Sequence, residues 1–165
     1  MKTLYILRHA KSSWSDINLS DFDRPLNKRG KKNAPFMAKI LKELVKNPDF
    51  IISSPSKRTK STLNYFVKEF DIKKDKIIYD KSIYEAHFSN ILKSIKEIKK
   101  ENNIIFVIGH NPGLNELTNY LIGNFKDNIP TCGILKIVFD INSWDEIEEN
   151  SGKLEFFKYP KMLII

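Results

Sequence analysis

Short apolar runs alternate along the chain with longer stretches whose apolar residues recur every three or four positions. The short runs predict β-strands, and several are continuous rather than alternating, which is typical of strands covered on both faces. The predicted strands cover residues 3–7, 50–52, 77–79, 104–108, 134–139 and, nearer a sheet edge, 154–157.

The stretches with helical spacing lie between these strands. They predict helices over residues 27–47, 56–70, 88–100 and 114–122, with the first ending at Asn47-Pro48. Alternation of strands and helices favours a three-layer α/β/α architecture in which a mostly parallel sheet carries helices on both faces. In such sheets the ligand lies beyond the carboxyl ends of the strands, so the residues after each strand are the first candidates for chemistry.

Length and composition narrow the class of protein. A chain of 165 residues with 41% hydrophobic residues is expected to form a single folded domain over residues 1–165. The longest apolar run, 104–108, is far shorter than the ~20 residues of a membrane helix, so no membrane partner is expected. A single cysteine, Cys132, cannot form an internal disulfide, which is consistent with a cytoplasmic protein.

The net charge of +8 is carried almost entirely by lysine. Lysine supplies 24 of the 28 basic residues, and most of these lysines are expected to be solvated surface. Arginine supplies the other four, all within the first 58 residues. Because the planar guanidinium matches the oxygens of phosphate or carboxylate, the arginines are the informative part of the charge.

Polar side chains follow four of the predicted strands and should meet at one edge of the sheet. The candidates are Arg8, His9 and Ser12 after the first strand, Arg58 after the second, Glu85 after the third and His110 after the fourth. This set suits phosphoryl transfer. A neutral imidazole can attack phosphorus and form a phosphohistidine, arginines can hold the phosphate oxygens, a second histidine can complete the cradle, and a carboxylic acid can protonate the leaving group.

The motifs that carry these residues resemble the histidine phosphatase superfamily, also called phosphoglycerate mutase-like, over residues 2–139. A short segment before the first helix and Pro130-Thr131 look like its SixA branch, which is named for a phosphohistidine phosphatase. The matching motifs are Leu7-Arg8-His9-Ala10, Ser53-Ser54-Pro55 with Arg58 and Thr62, Gly109-His110-Asn111-Pro112, and Asp23-Arg24-Pro25-Leu26 before Arg29-Gly30.

The resemblance implies a phosphoglycerate mutase-like fold and a role for each candidate. It assigns His9 as the phosphorylated nucleophile, Arg8 and Arg58 as phosphate-binding arginines, His110 as the second pocket histidine, Ser12 as a residue that approaches the phosphate, and Glu85 as the acid of larger members. The chain departs from the mutase branch at Ala10 and Lys11, which replace a common Gly-Glu pair. The lysine places a cation beside the pocket and is expected to alter the preferred leaving group.

The predicted function is therefore a metal-independent phosphatase that needs no cofactor and acts through a covalent phosphohistidine. By resemblance, its substrate is phosphohistidine on a partner protein, and a small phosphate ester such as a sugar phosphate or nucleotide is the alternative. A basic binding module for nucleic acid or protein is a third interpretation, but no RNA-binding signature supports a nucleic-acid partner. A metal site of His9, His110 and Glu85 is disfavoured because neighbouring arginines would repel the ion.

Three other residues near the first motif receive a structural interpretation. Arg24 and Arg29 flank the start of the first long helix and are expected to tie the preceding loop to the body of the fold. Trp14, in the same loop, is expected to anchor it by packing.

Overall fold

A six-stranded mixed sheet lies at the centre of the computed structural model, which describes residues 1–163. The strands are β1 (Lys2–Arg8), β2 (Phe50–Ser53), β3 (Ile77–Tyr79), β4 (Ile104–Gly109), β5 (Ile134–Phe139) and β6 (Gly152–Lys158). Their spatial order is β3-β2-β4-β1-β5-β6. Strands β1 to β4 pair in parallel, and β5 runs antiparallel to both of its neighbours. All six predicted strands are present, with the last at an edge.

Helices cover both faces of this sheet. They are α1 (Lys28–Leu44), α2 (Lys57–Phe70), α3 (Phe88–Lys96), α4 (Gly113–Ile122) and the short α5 (Pro160–Leu163), with 3₁₀ turns at Asp21–Asp23, Lys74–Lys76, Lys81–Ile83 and Trp144–Glu146. The side chain of Asn27 accepts a hydrogen bond from the Gly30 amide and so caps α1 where the sequence predicts its start. The predicted three-layer α/β/α architecture is confirmed.

Strand β1 shows why the central apolar runs are continuous. Leu4 and Ile6 belong to a core shared with α3 and α4, whereas Tyr5 and Leu7 belong to a second core shared with α1 and α2. Because successive side chains of a strand point to opposite faces, a strand buried on both sides needs apolar residues at every position.

Two boundaries differ from the sequence-based prediction. Helix α3 ends at Lys96 rather than at residue 100, because the Ile98 amide bonds the Ile95 carbonyl and tightens the chain into a turn. The Lys100 carbonyl then accepts a hydrogen bond from the Lys2 ammonium instead of taking part in the helix. Helix α1 ends at Leu44, three residues before the predicted end.

None of the helices within residues 1–163 is both long enough and apolar enough to cross a membrane.

Candidate active site

The carboxyl ends of β1, β2 and β4 open into a cavity of about 350 Å³. All six candidate residues line it, as do several others that the sequence analysis did not select. The predicted set is Arg8, His9, Ser12, Arg58, Glu85 and His110, and the additional lining residues are Lys11, Trp14, Asp21, Arg24, Asn111 and Thr131. The sheet therefore brings the sequence-predicted residues together.

His9 lies directly after β1 and is held by backbone hydrogen bonds on both sides. Its amide donates to the Gly109 carbonyl at 3.2 Å, and its carbonyl accepts from the Cys132 amide at 3.0 Å. The imidazole Nδ1 lies 2.8 Å from the Ala10 carbonyl oxygen, which can only accept, so Nδ1 carries the proton. The lone pair is then on Nε2, which receives a long contact of 3.4 Å from the Arg58 Nε–H.

The surroundings of His9 keep it uncharged. The pKa of His9 is lowered to about 3, mainly by burial, with the positive charges of Arg58 and Arg8 contributing and the Ala10 carbonyl opposing the shift. The ring is only 7% exposed. At neutral pH His9 is therefore the neutral tautomer that a nucleophilic imidazole requires.

His110 follows β4, and its ring lies 5.1 Å from that of His9 between centroids. Its Nε2 is 2.7 Å from the Ser54 hydroxyl, and its Nδ1 is 3.3 Å from an Arg58 Nη2 that can only donate. Nε2 therefore carries the proton in the resting state. Burial lowers the pKa of His110 to about 4, with Arg58 as the next cause. Tyr84 stacks on the outer face of the ring at 5.3 Å.

The Arg8 guanidinium has an unused donor. Its Nη1 donates to the Ile129 carbonyl at 2.8 Å, which fixes the side chain, but the buried Nε–H has no hydrogen-bond partner among residues 1–163. An unpaired buried donor costs about 1–3 kcal/mol, so an incoming oxyanion that accepts from it gains that free energy. Burial, followed by the charge of Arg58, lowers the pKa of Arg8.

Arg58 connects the two histidines with the loop after β1. It lies in the first turn of α2, whose N-cap Ser56 accepts from the Thr59 amide. Its Nη1 donates to the Asp21 backbone carbonyl at 2.6 Å, and its Nη2 donates to the Asp21 carboxylate at 3.0 Å. Arg58 is only 3% exposed, so its position is set by these partners. The Arg58 carbonyl in turn accepts from the Thr62 hydroxyl, which itself accepts from the Ala10 amide.

Asp21 is the functional candidate that the sequence analysis missed. Its carboxylate accepts from Arg58, from Arg24 Nε at 3.2 Å and, through a short hydrogen bond, from the Tyr84 hydroxyl. Burial alone would raise the pKa of Asp21, but hydrogen bonds from Tyr84, Glu85 and Arg58 outweigh it and lower the pKa. The sequence could have pointed to Asp21 because it lies three residues before Arg24, close enough for its carboxylate to pair with that arginine.

Glu85 lies at the open side of the cavity. One carboxyl oxygen is 3.9 Å from Arg58 Nη2, the nitrogen that also bonds Asp21, and the side chain is 58% exposed. Partial burial and the neighbouring Asp21 carboxylate raise the pKa of Glu85, while Arg58 opposes the shift. Its backbone has φ of 45°, a left-handed conformation that is uncommon for glutamate. These features suit a carboxyl group that holds and releases a proton.

The loop between β1 and α1 forms the remaining wall. Ser12 is 7% exposed and pairs with Leu26 in an isolated antiparallel bridge, so its hydroxyl is held at the cavity wall. The ion pair of Arg24 with Asp21 at 3.1 Å lies within this loop, so it braces the loop internally and does not tie it to the body of the fold as predicted. Trp14 differs from its predicted packing role because it is 70% exposed at the cavity rim. The Arg24 guanidinium lies 3.4 Å from the centre of its ring and holds it there.

Arg29 also differs from its predicted role. It is exposed at the start of α1, and its side chain makes no ion pair or hydrogen bond with the part of the chain that the structure describes. It does not tie the loop to the rest of the fold.

Two hydroxyl residues hold His110, and the sequence analysis gave neither of them a role. Ser54 stands in one of the quoted motifs, and Thr59 stands in none. Ser54 and Thr59 both lie within 3.4 Å of His110 Nε2, and Ser54 Oγ also accepts from the Ser56 amide. They follow β2, the strand that also positions Arg58, so the rule of examining residues after each strand could have found them. Within residues 1–163, no group of three or more His, Cys, Asp or Glu side chains is arranged to hold a metal ion.

Comparison with known proteins gives consistent matches over most of the chain. The model of the histidine phosphatase superfamily (branch 1) matches residues 4–111. An uncharacterized chloroplastic protein of Arabidopsis thaliana is 33% identical over 161 residues, which is 92% of this chain and 72% of that protein.

Two solved structures show the same fold. A candidate phosphohistidine phosphatase SixA from Agrobacterium tumefaciens superposes with a TM-score of 0.83 at 26% identity, covering 96% of this chain and 98% of that one. A mycobacterial glucosyl-3-phosphoglycerate phosphatase in complex with VO3 superposes with a TM-score of 0.73 at 12% identity, covering 97% and 100%. At that identity the second likeness concerns the fold alone.

Proposed function

Because this chain belongs to the SixA-like branch of the histidine phosphatase superfamily and is a phosphatase, we propose that it acts through a covalent phosphohistidine on His9. We also propose that its substrate is a phosphohistidine side chain of a partner protein. The observation that supports His9 as the nucleophile is the protonation state of its ring. Its ring is neutral, its Nδ1 proton is engaged by the Ala10 carbonyl, and its Nε2 lone pair is beside the Arg58 guanidinium.

The phosphate would be held by donors on three sides. Arg8 contributes the buried Nε–H that has no partner among the described residues, and Arg58 contributes the Nη2 that now bonds Asp21. Ser12 lines the same cavity with its hydroxyl. Charge-assisted hydrogen bonds of this kind are about twice as strong as neutral ones, and they strengthen as negative charge develops on the transferring group.

His110 would change its proton state when phosphate binds. Its Nδ1 is unprotonated at rest because Arg58 donates to it and because the pKa is about 4. A phosphate dianion beside the ring opposes both effects and favours the doubly protonated imidazolium, whose Nδ1–H can then donate to a phosphate oxygen. Ser54 and Thr59 keep the other nitrogen in place throughout.

The reaction then takes two displacement steps. In the first, His9 Nε2 forms a bond to phosphorus while the bond from phosphorus to the leaving group breaks, and the leaving group takes that electron pair and a proton from Glu85. In the second, a water molecule loses a proton to the Glu85 carboxylate and attacks the phosphohistidine. The P–N bond breaks, inorganic phosphate leaves, and both His9 and Glu85 return to their starting states.

Two features support phosphohistidine on a protein as the substrate. The acid is on the open side of the cavity and 58% exposed, so its help to a poor leaving group is modest, whereas an imidazole that is already protonated needs little help. The cavity rim carries an exposed Trp14, which can contact a protein surface around the phosphorylated side chain. The Agrobacterium protein of the same fold is a candidate phosphohistidine phosphatase, which agrees with this choice of substrate.

A small phosphate ester is the second candidate substrate. A cavity of about 350 Å³ is within the range that takes a small molecule, and the fold is shared with a glucosyl-3-phosphoglycerate phosphatase. The raised pKa of Glu85 favours this candidate specifically, because only an alkoxide leaving group requires a protonated acid.

The nucleophile is tested by His9→Ala, with His87→Ala as the matched control. His87 is an exposed histidine that caps α3 and does not line the cavity. We expect His9→Ala to abolish turnover and His87→Ala to retain it. Rapidly quenched wild-type enzyme should carry phosphate that is acid-labile and alkali-stable. Retained turnover in His9→Ala, or a phosphoserine-like stability that points to Ser12, would contradict the assignment.

The substrate class is tested by competition. Specificity constants are measured side by side for a phosphohistidine-bearing protein, sugar phosphates and nucleotides. We expect the phosphoprotein to have the highest kcat/KM. A sugar phosphate or nucleotide that exceeds it by tenfold or more, a difference of about 1.4 kcal/mol, would favour the second candidate instead.

A further inference from the structure

A basic basin separate from the catalytic cavity lies between the start of α1 and the short helix α5. It has a volume of about 730 Å³, larger than the catalytic cavity. Its lining residues are Lys28, Arg29, Lys32, Asn33, Pro160 and Lys161. Four of these six are cations and none is acidic, so the basin concentrates positive charge contributed by two elements that are far apart in sequence.

None of the four cations forms an ion pair in the described part of the chain. The ion pairs among residues 1–163 involve Arg24, Arg58 and Lys136, and none involves a cation of the basin. Like charges held around one cavity repel each other, and the positive end of the α1 dipole adds to that repulsion. An anion in the basin would relieve both.

Asn33 distinguishes this basin from an ordinary solvated lysine surface. It is only 6% exposed, yet its side-chain amide makes no hydrogen bond with any residue in 1–163, although it lines the basin. Its amide atoms are open to solvent and are not among the fully buried unpaired groups, so they are accessible from the basin. The amide can donate to an oxyanion, and no side chain among residues 1–163 competes for it.

Arg29 supplies the geometry that lysine lacks. The chain has only four arginines, and the other three, Arg8, Arg24 and Arg58, line the catalytic cavity. Arg29 is the exception, and it lines the basin without any ionic partner in the described residues. A planar guanidinium offers two parallel donors to phosphate oxygens, and lysines around it add point charges.

We propose that this basin is a second anion site, distinct from the catalytic cavity, that binds a phosphate-class oxyanion carrying at least two negative charges. The oxyanion is either a free ligand or a second anionic group on the substrate. The latter is geometrically reasonable because α1 begins against the active-site loop. The Asn27 amide bonds the Lys11 carbonyl at 2.9 Å, and Lys11 lines the catalytic cavity.

The test is a titration of the isotope-labelled protein with inorganic pyrophosphate, followed by NMR. The Asn33 side-chain amide and the Gly30 backbone amide report on the basin, and the His9 and Ala10 amides report on the catalytic cavity. We expect both sets to shift, each with its own dissociation constant. Because the two sites are read separately, failure of the basin does not affect the conclusion about His9.

Two double variants with the same change of charge make the test specific. Arg29→Gln with Lys32→Gln removes two basin cations, and Lys39→Gln with Lys93→Gln removes two exposed lysines elsewhere. We expect the first pair to weaken pyrophosphate binding at the Asn33 reporter by about tenfold or more and the second by about twofold or less. Equal weakening by both pairs, or an Asn33 amide that does not move while His9 saturates, would overturn the proposal.

Kinetics then separate the two sources of the anion. If the basin binds a second anionic group of the substrate, Arg29→Gln with Lys32→Gln raises KM for a phosphoprotein and leaves KM for 4-nitrophenyl phosphate unchanged. If it binds a free oxyanion, both KM values stay unchanged while pyrophosphate binding is lost. A double variant that retains full pyrophosphate affinity at the Asn33 reporter contradicts both versions.

Discussion

Replacing Asp21 with asparagine should move the pH dependence of catalysis because the Asp21 carboxylate contributes to raising the pKa of Glu85. The two carboxyl groups approach the same Arg58 nitrogen, at 3.0 Å for Asp21 and 3.9 Å for Glu85. If Glu85 protonates the leaving group, activity is present below its pKa and is lost as the pH rises through it. The raised pKa of Glu85 extends that activity toward neutral pH, and Asp21→Asn removes the charge that contributes to raising it.

The magnitude follows from the distances. With both oxygens within 3.9 Å of one nitrogen, the carboxyl groups are at most about 7 Å apart, and Coulomb's law gives about 2.4 kcal/mol at an effective dielectric constant of about 20 and about 0.6 kcal/mol in water. Because Glu85 is 58% exposed, the lower part of this range applies. One pKa unit corresponds to about 1.4 kcal/mol, so the basic limb of the profile should move down by about 0.5–1 pH unit.

The assay is the pH dependence of kcat/KM for an alkyl phosphate, with 4-nitrophenyl phosphate as the control substrate. The aryl leaving group needs no proton, so its profile should lack the Glu85 limb. Glu85→Gln should abolish the limb for the alkyl substrate, and Asp21→Asn should shift it without abolishing it. Loosening of Arg58 in Asp21→Asn would lower the rate for both substrates equally. A limb that stays in place in Asp21→Asn, or survives in Glu85→Gln, refutes the coupling.

Three further predictions concern stability and the cavity rim. His9 and His110 have pKa values of about 3 and about 4 in the folded state, so each should lower the free energy of unfolding by about 1.4 kcal/mol per pH unit as the pH falls below ~6.5. Denaturant titrations should therefore show a loss of about 2.7 kcal/mol of unfolding free energy per pH unit in the wild type and about half that loss in His110→Gln. Gly30→Ala places a Cβ 2.2 Å from the Lys11 carbonyl and should cost about 1–3 kcal/mol, whereas an unchanged Tm would show that the loop moves freely. Trp14→Ala should change the unfolding free energy by less than about 1 kcal/mol because the side chain is exposed, yet it should lower kcat/KM for a phosphoprotein more than for 4-nitrophenyl phosphate. Equal effects on both substrates would show that Trp14 does not contact the protein substrate.

The predicted strands and the residues after them could be read from the sequence because both rest on local rules. A strand buried on both faces must be apolar throughout, so β1 and β4 were recognisable, and the chain leaves their carboxyl ends at Arg8 and His110. The position of a residue one or two places beyond such an end is nearly determined by the strand itself. This is why the two histidines meet as expected, and Arg58 joins them from the first turn of the helix that follows β2.

Asp21 and Trp14 could not be placed in the same way, because their positions depend on how the loop between β1 and α1 folds back over the cavity. The Asp21–Arg58 contact joins residues 37 positions apart, and nothing in the local pattern relates them. Trp14 looked like a packing residue from its type, but Arg24 covers one face of the ring and leaves the side chain at the rim. Side-chain pairing across a loop is set by tertiary contacts rather than by periodicity.

The balance of charge around His9 explains why these loop residues matter to the chemistry. The resting cavity holds four permanent cations and two carboxyl groups, while both imidazoles are neutral. The cations are Arg8, Lys11, Arg24 and Arg58, and the acids are Asp21 and Glu85. Without Asp21 the arginines would repel one another in a confined space, and with it one guanidinium donor of Arg58 is occupied until phosphate arrives. The permanent cations outnumber the carboxyl groups, and a bound phosphate dianion offsets this excess of positive charge, so the site is complementary to the phosphoryl group and not to a neutral ligand.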